Sequence, residues 1–172
     1  TFNSLSAQTT DPGNYCNGFF DDDIESGASY NMFDTIASVS FGDLANTTDL
    51  AASPYYTFYG NLTVPTITVG TPTDLIVDIS VQSGGGYGVW IDYDQNNVFD
   101  ASEKVMGTTA NQPLQFNFDN SPAPITQSIT IPATASLGET RMRVRYVSDM
   151  GYNYPEDENG NGGQNFAILP CN

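Results

Sequence analysis

The sequence predicts an all-β chain folded as an antiparallel β-sandwich of jelly-roll or immunoglobulin-like type, with a calcium loop between two strands. Three observations predict it. Short runs rich in Val, Ile, Thr, Phe and Tyr recur along the 172 residues. Gly and Pro punctuate these runs at short intervals. Within several of them apolar and polar residues alternate, as the two faces of a strand require. The length suits one domain with a proper core and is too short for two.

Taken in order, residues 1–14 read as an N-terminal extension and 15–172 as the sandwich domain. In "TFNSLSAQTT", the small residues before Ala7 and Gln8 resemble the end of a bacterial secretion signal, without its apolar core. "NMFDTIASVSFGDLA" suits either a helical turn or a strand carrying Val39 and Phe41 on one face. "LTVPTITVG" (62–70), "DLIVDISVQ" (74–82), "YGVWIDY" (87–93), "LQFNFD" (114–119), "SITIPA" (128–133), "TRMRVRYVS" (140–148) and "QNFAIL" (164–169) read as strands. Leu75, Val77 and Ile79 share one side of theirs, although Ile76 and Val81 break strict alternation and allow burial on both faces; Phe116 and Phe118 share one side of another. In "RMRVRY", Arg141, Arg143 and Arg145 face one way and Met142, Val144 and Tyr146 the other. Trp90, alone in mid-strand, is expected to face the core. "SGGGYG" (83–88) is a turn opening a strand, because no helix with a lysine follows to make a phosphate cradle.

Charge and missing residue types exclude several functions. With 20 acidic and 4 basic side chains, the net charge is −16. Such a surface repels nucleic acid and anionic membranes, since phosphate binding needs Lys and Arg. There is no histidine, which removes the Ser-His and Cys-His nucleophile pairs and the usual zinc ligands. Catalysis would have to rest on carboxylates or tyrosines, no acid pair stands out, and an enzyme is not expected. No apolar run is long enough to span a bilayer, so membrane insertion is not expected. Cys16 and Cys171 lie near opposite ends. A disulfide between them is the expectation, against two unpaired thiols, because termini often lie close together. It implies an oxidising compartment, extracellular or at the cell surface.

The stretch "VWIDYDQNNVFDASE" (89–103) carries the chemistry. Asp92, Asp94, Asn96, Asp100 and Glu103 fall at positions 1, 3, 5, 9 and 12 of the calcium template D-x-[DN]-x-[DN]-G-x5-E. Calcium takes about six to eight oxygens at roughly 2.3–2.6 Å, and alternate residues of a tight loop can present them. Position 6 is Asn97 instead of Gly, so the bend predicts a positive φ at an asparagine. The flanks are β-like, which excludes a helical hand. The competing reading is a turn whose Asp and Asn side chains bond its own backbone. A fainter acidic stretch, Asp157, Asn159, Asn161 and Gly162, has the template's first half but Ile168 at its last position, and reads as a solvated loop. Asp21–Glu25 reads as a charged turn.

Four features follow one order: "YC" at 15–16, "VWIDYDQNNVFDASEKV" at 89–105, "ITIPATASLGETRMRVRY" at 129–146, and a Gly-rich acidic segment before the last strand. That order resembles the GEVED domain, a β-sandwich module of secreted bacterial proteins, over residues 15–169. Where the family's naming motif Gly-Glu-Val-Glu-Asp-Tyr is expected, the chain reads "GGQNFAIL", with Gln164, Asn165 and Phe166 in place of acids and a tyrosine. The resemblance implies a secreted, non-catalytic accessory or binding role and names no ligand.

Tyrosine-rich stretches are the candidate contact surfaces. "SPYYTFYGN" (53–61) places Tyr55 and Tyr59 on one face of an extended chain and Tyr56 on the other, and "DMGYNYPED" adds Tyr152 and Tyr154. Aromatic faces stack on sugar rings while amides and carboxylates bond the hydroxyls; equally, tyrosines simply cover sandwich edges. The arginine stripe is expected to serve structural ion pairs. The sequence thus points to a secreted calcium-stabilised module binding carbohydrate, a neutral polysaccharide given the charge. The alternative is an adhesive subunit that joins like subunits in a cell-surface filament, its N-terminal segment adding a strand to a neighbour's sheet edge.

Overall fold

A computed structural model describes residues 14–16, 35–48, 57–80, 85–108, 124–148 and 170. Seven strands are present among them: β1 (Thr35–Phe41), β2 (Leu44–Thr47), β3 (Pro72–Ser80), β4 (Gly85–Ile91), β5 (Lys104–Gly107), β6 (Ile125–Thr130) and β7 (Met142–Ser148). They form two antiparallel sheets, ordered β2-β1-β3-β6 and β5-β4-β7. Among the described strands, the chain crosses between sheets after β3, β5 and β6. The all-β sandwich expected from the sequence is the fold found.

Alternation builds the core. Leu75, Val77 and Ile79 of β3 are buried on the side that faces the second sheet, together with Val39 and Phe41 of β1 and Ile129 of β6. Tyr87, Val89 and Ile91 of β4 and Met106 of β5 meet them from the opposite sheet. The stretch that suited helix or strand is β1, because pairing with both β2 and β3 satisfies its backbone and buries Val39 and Phe41. Gly42, at φ 57°, makes the turn into β2; a side chain there would also meet Ile67 Cδ1 at 2.7 Å.

Two expectations are corrected. Residues 62–70 are irregular instead of a strand. Pro65 has no amide to give a ladder, Val64 is left exposed, and only Ile67 and Val69 pack against the core. Trp90 is buried, 1 % exposed, but on the opposite face of β4 from Val89 and Ile91. There its ring covers Gly88, and the Lys104 ammonium sits 5.5 Å from the ring centroid. Arg143 and Arg145 pair in register with Trp90 and Gly88 and are likewise buried on this outer face. The second sheet is therefore covered on both sides. Strands predicted at 114–119 and 164–169 lie outside the described residues. Among the described residues no helix is long and apolar enough to cross a membrane.

Two substitutions test this packing. Leu75→Ala, at a side chain with no exposure, is expected to cost about 2–5 kcal/mol. Gly88→Ala places a methyl 2.3 Å from the Trp90 ring and should cost about 1–3 kcal/mol. Urea midpoints at constant slope measure both; a Gly88→Ala protein as stable as the wild type would mean that Trp90 lies elsewhere.

Candidate metal centre

The acidic loop begins where β4 ends. Asp92 is the first residue beyond Ile91, and its backbone is pinned to the β6–β7 connection: its amide donates to Arg141 O at 3.1 Å, and Thr140 Oγ1 donates to its carbonyl. The same connection follows the loop onward. Ser136 N donates to Tyr93 O at 2.8 Å, Ser136 Oγ to Asp94 O at 3.3 Å, and Gln95 Nε2 to Ser136 O at 3.4 Å. The two long motifs of the sequence, 89–105 and 129–146, are thus one structural unit.

Within the loop the backbone folds back on the carboxylates. Asp92 Oδ1 accepts from Asn96 N at 3.2 Å, and Asp92 Oδ2 from Asn97 N at 3.1 Å. Asp94 Oδ1 accepts from Asn96 N at 3.1 Å. This curling needs left-handed backbone at Gln95 (φ 61°) and Asn97 (φ 67°). The bend expected at Asn97 is present; that at Gln95 had no signal in the sequence. A single 3-10 turn, Ala101–Glu103, then swings Glu103 back beneath the loop, buried at 5 % exposure. Its Oε1 accepts from Tyr93 N at 2.6 Å and Asp94 N at 3.4 Å, and its Oε2 from Asp100 N at 2.9 Å. β5 starts at once afterwards, so no helical hand exists here.

The five expected ligands are not equally placed. Asp92, Asp94 and Glu103 bring one carboxylate oxygen each to within 4.8 Å of one another. Asp100 joins indirectly: Asn96 Nδ2 donates to Asp100 Oδ2 at 3.2 Å and to Asp94 Oδ2 at 3.0 Å. Asn96 Oδ1 accepts from Val98 N at 2.6 Å and faces its own backbone. The self-bonded turn weighed from the sequence is therefore fully developed. It coexists with a converging acidic triad, two of whose carboxylates are buried. Among the described residues, the donors that meet these three carboxylates are neutral amides, a carboxamide and a phenol. Hydrogen bonds from neutral groups satisfy oxygens without cancelling the repulsion between like charges. A hard divalent cation fits this donor set, being all oxygen and anionic. Asp92, Asp94 and Glu103 would hold it, with Asn96 able to join by turning its Oδ1 inward.

Two residues around the loop, Tyr15 and Phe99, carried no assigned role in the sequence. Tyr15 donates to Asp92 Oδ2 at 2.6 Å across 77 residues, and its ring lies 4.9 Å from that of Phe99. Arg141 lies over the Tyr15 and Phe58 rings at 4.8 and 4.3 Å, and Arg143 over Phe99 at 4.9 Å. Arg143 also donates to Cys16 O at 2.8 Å, Cys16 Sγ at 3.1 Å and Pro170 O at 2.9 Å. The contacts of the arginine stripe thus include aromatic faces and carbonyls, beyond the ion pairs expected. Cys16 is not a free thiol; Cys171 lies outside the described residues. Of the tyrosines singled out for ligand contact, Tyr59 is half-buried and its hydroxyl is sealed from solvent without a hydrogen-bond partner among the described residues. Tyr55, Tyr56, Tyr152 and Tyr154 lie outside the described residues, as does the fainter acidic stretch at 157–162.

The phenols report on the site. Burial, and then the Glu103 charge, push Tyr93 up to about 12. Burial, and then the hydrogen bond and charge of Asp92, push Tyr15 up to about 12. An unfolded tyrosine titrates near 10, so the unfolded chain loses these protons first. The stability that they contribute is complete below about pH 10 and is lost as pH rises toward about 12. Urea midpoints across that range should fall for the wild type and fall less in a Tyr15→Phe, Tyr93→Phe double variant; equal slopes would contradict the placement.

No curated protein and no solved structure matches the chain. The family model described as "GEVED domain" matches residues 86–164. The match holds the acidic loop, the connection that pins it and strands β4 to β7. It is shorter than residues 15–169 and stops at Gln164. Over residues 86–164, the chain is similar to the GEVED domain family, which supports the resemblance read from the sequence.

Proposed function

We propose that the chain is a secreted, non-catalytic β-sandwich module, stiffened by Ca2+ in the β4–β5 loop, that binds neutral carbohydrate through its tyrosine-rich connections. The observation that carries the cation reading is the approach of Asp92, Asp94 and Glu103 oxygens to within 4.8 Å, two of the three side chains being buried. Buried carboxylates this close are costly unless a positive charge joins them. The non-catalytic reading is supported by the absence of histidine and by the family. Extracellular placement is supported by Cys16 and Cys171, whose pairing would imply an oxidising compartment. Cys16 is not a free thiol, and Pro170, the residue before Cys171, shares Arg143 with it. Carbohydrate is supported by the tyrosine clusters beside a strongly acidic, amide-rich surface, which favours a neutral ligand over an anionic one.

The cation should stabilise the fold by mass action, about 2.7 kcal/mol at a hundredfold excess over Kd. That corresponds to a rise in melting midpoint of roughly 5–10 °C over chelator-treated protein. Asp92→Asn should abolish the rise. A midpoint indifferent to chelator and Ca2+ would overturn the cation reading. Retention on a neutral polysaccharide in affinity gels tests the ligand, and no retention on any, with Ca2+ present, would overturn that part.

A further inference from the structure

We propose that Tyr15 is a positioning residue for the cation loop, tying Asp92 to the clamp that holds the chain ends. The inference rests on the cation reading above and adds to it a residue far from the loop in sequence. Asp92 receives its other side-chain hydrogen bonds from Asn96 N and Asn97 N. Those amides belong to the loop and move with it. Tyr15 Oη comes from outside, at 2.6 Å, and so fixes the carboxylate relative to the sandwich.

Tyr15 is itself held on several sides. Its ring lies against Phe99, a loop residue that is 4 % exposed, and under the Arg141 guanidinium, which also covers Phe58. Its neighbour Cys16 is held at both carbonyl and sulfur by Arg143, which reaches Pro170 near the other end of the chain and stacks on Phe99. Two arginines of one strand face therefore connect the N-terminal end, the C-terminal end and the loop. A phenol so constrained holds one carboxylate oxygen in place, leaving the other directed by the loop. Partners that orient a metal ligand are commonly worth about 10–100-fold in affinity. Two backbone donors remain on Asp92 without Tyr15, which sets the expectation at the lower end.

The test is calorimetric titration of Ca2+ into the chelator-stripped full chain, wild type against Tyr15→Phe, with melting midpoints in chelator as the second readout. The substitution keeps the ring on Phe99 and Arg141 and removes only the hydroxyl. Tyr15→Phe is expected to raise Kd about tenfold and also to lower the chelated midpoint, because the buried Asp92 carboxylate loses one donor. A merely structural tyrosine would lower that midpoint and leave Kd alone; a Kd within about threefold of wild type overturns the inference, whatever the midpoint does. If the wild type itself takes up no Ca2+, the cation reading fails and the inference falls with it. If the wild type binds and the variant binds equally, the inference alone fails.

Discussion

The structure depends on one buried carboxylate. Asp92 stands at the end of β4 with no exposed surface, and its oxygens gather the amides of Asn96 and Asn97 and the hydroxyl of Tyr15. Its backbone, meanwhile, is joined to the β6–β7 connection through Arg141 and Thr140. An unpaired ionised carboxylate in that position would be prohibitive. The strand must therefore end here, the loop must curl back, and the neighbouring connection must close over it. The left-handed residues Gln95 and Asn97 are the local cost of that curl. Glu103 completes the arrangement by capping three further amides from below.

How much of this was legible in the sequence follows from what kind of signal each feature leaves. Runs rich in Val, Ile, Thr and Tyr identified β3, β4, β6 and β7, and clean alternation sorted the faces of β7, because a strand's side chains have a period of two. Alternation could not say which face points inward when both faces are covered. Trp90 was therefore assigned to the wrong side, and the arginines opposite it were read as a surface stripe. Residues 62–70 alternate like a strand, yet Pro65 removes a ladder donor and the segment stays irregular. The acidic loop was legible because its ligand types are spaced by local geometry, and the positive φ at Asn97 followed from the template. Asn96 was harder, since spacing places its side chain but not which end of the amide turns inward. Tyr15 was hidden by distance along the chain: nothing about residue 15 signals a partner at residue 92.

The two readings of the loop are compatible in physical terms. A turn whose own amides already hold its carboxylates has met most of the ordering entropy beforehand, so a cation, if bound there, would add charge neutralisation to a formed cage. The same logic explains why the second sheet carries cover on both faces. The outer face, with Trp90, Lys104 and the buried arginines, is where Cys16 and Pro170 meet Arg143. The loop, Tyr15, Cys16 and Pro170 join the outer face of the sheet in one connected region, and the inner core forms another. The family match, residues 86–164, covers the loop and the strands around it and leaves β1 to β3 outside.

The most direct measurement is a crystal structure of the full chain grown with Ca2+. The account predicts an ion at about 2.3–2.6 Å from oxygens of Asp92, Asp94 and Glu103, with the Asn96 carboxamide turned to present Oδ1. Crystals showing no ion there, with Asn96 Nδ2 still lying between Asp94 and Asp100, would contradict it.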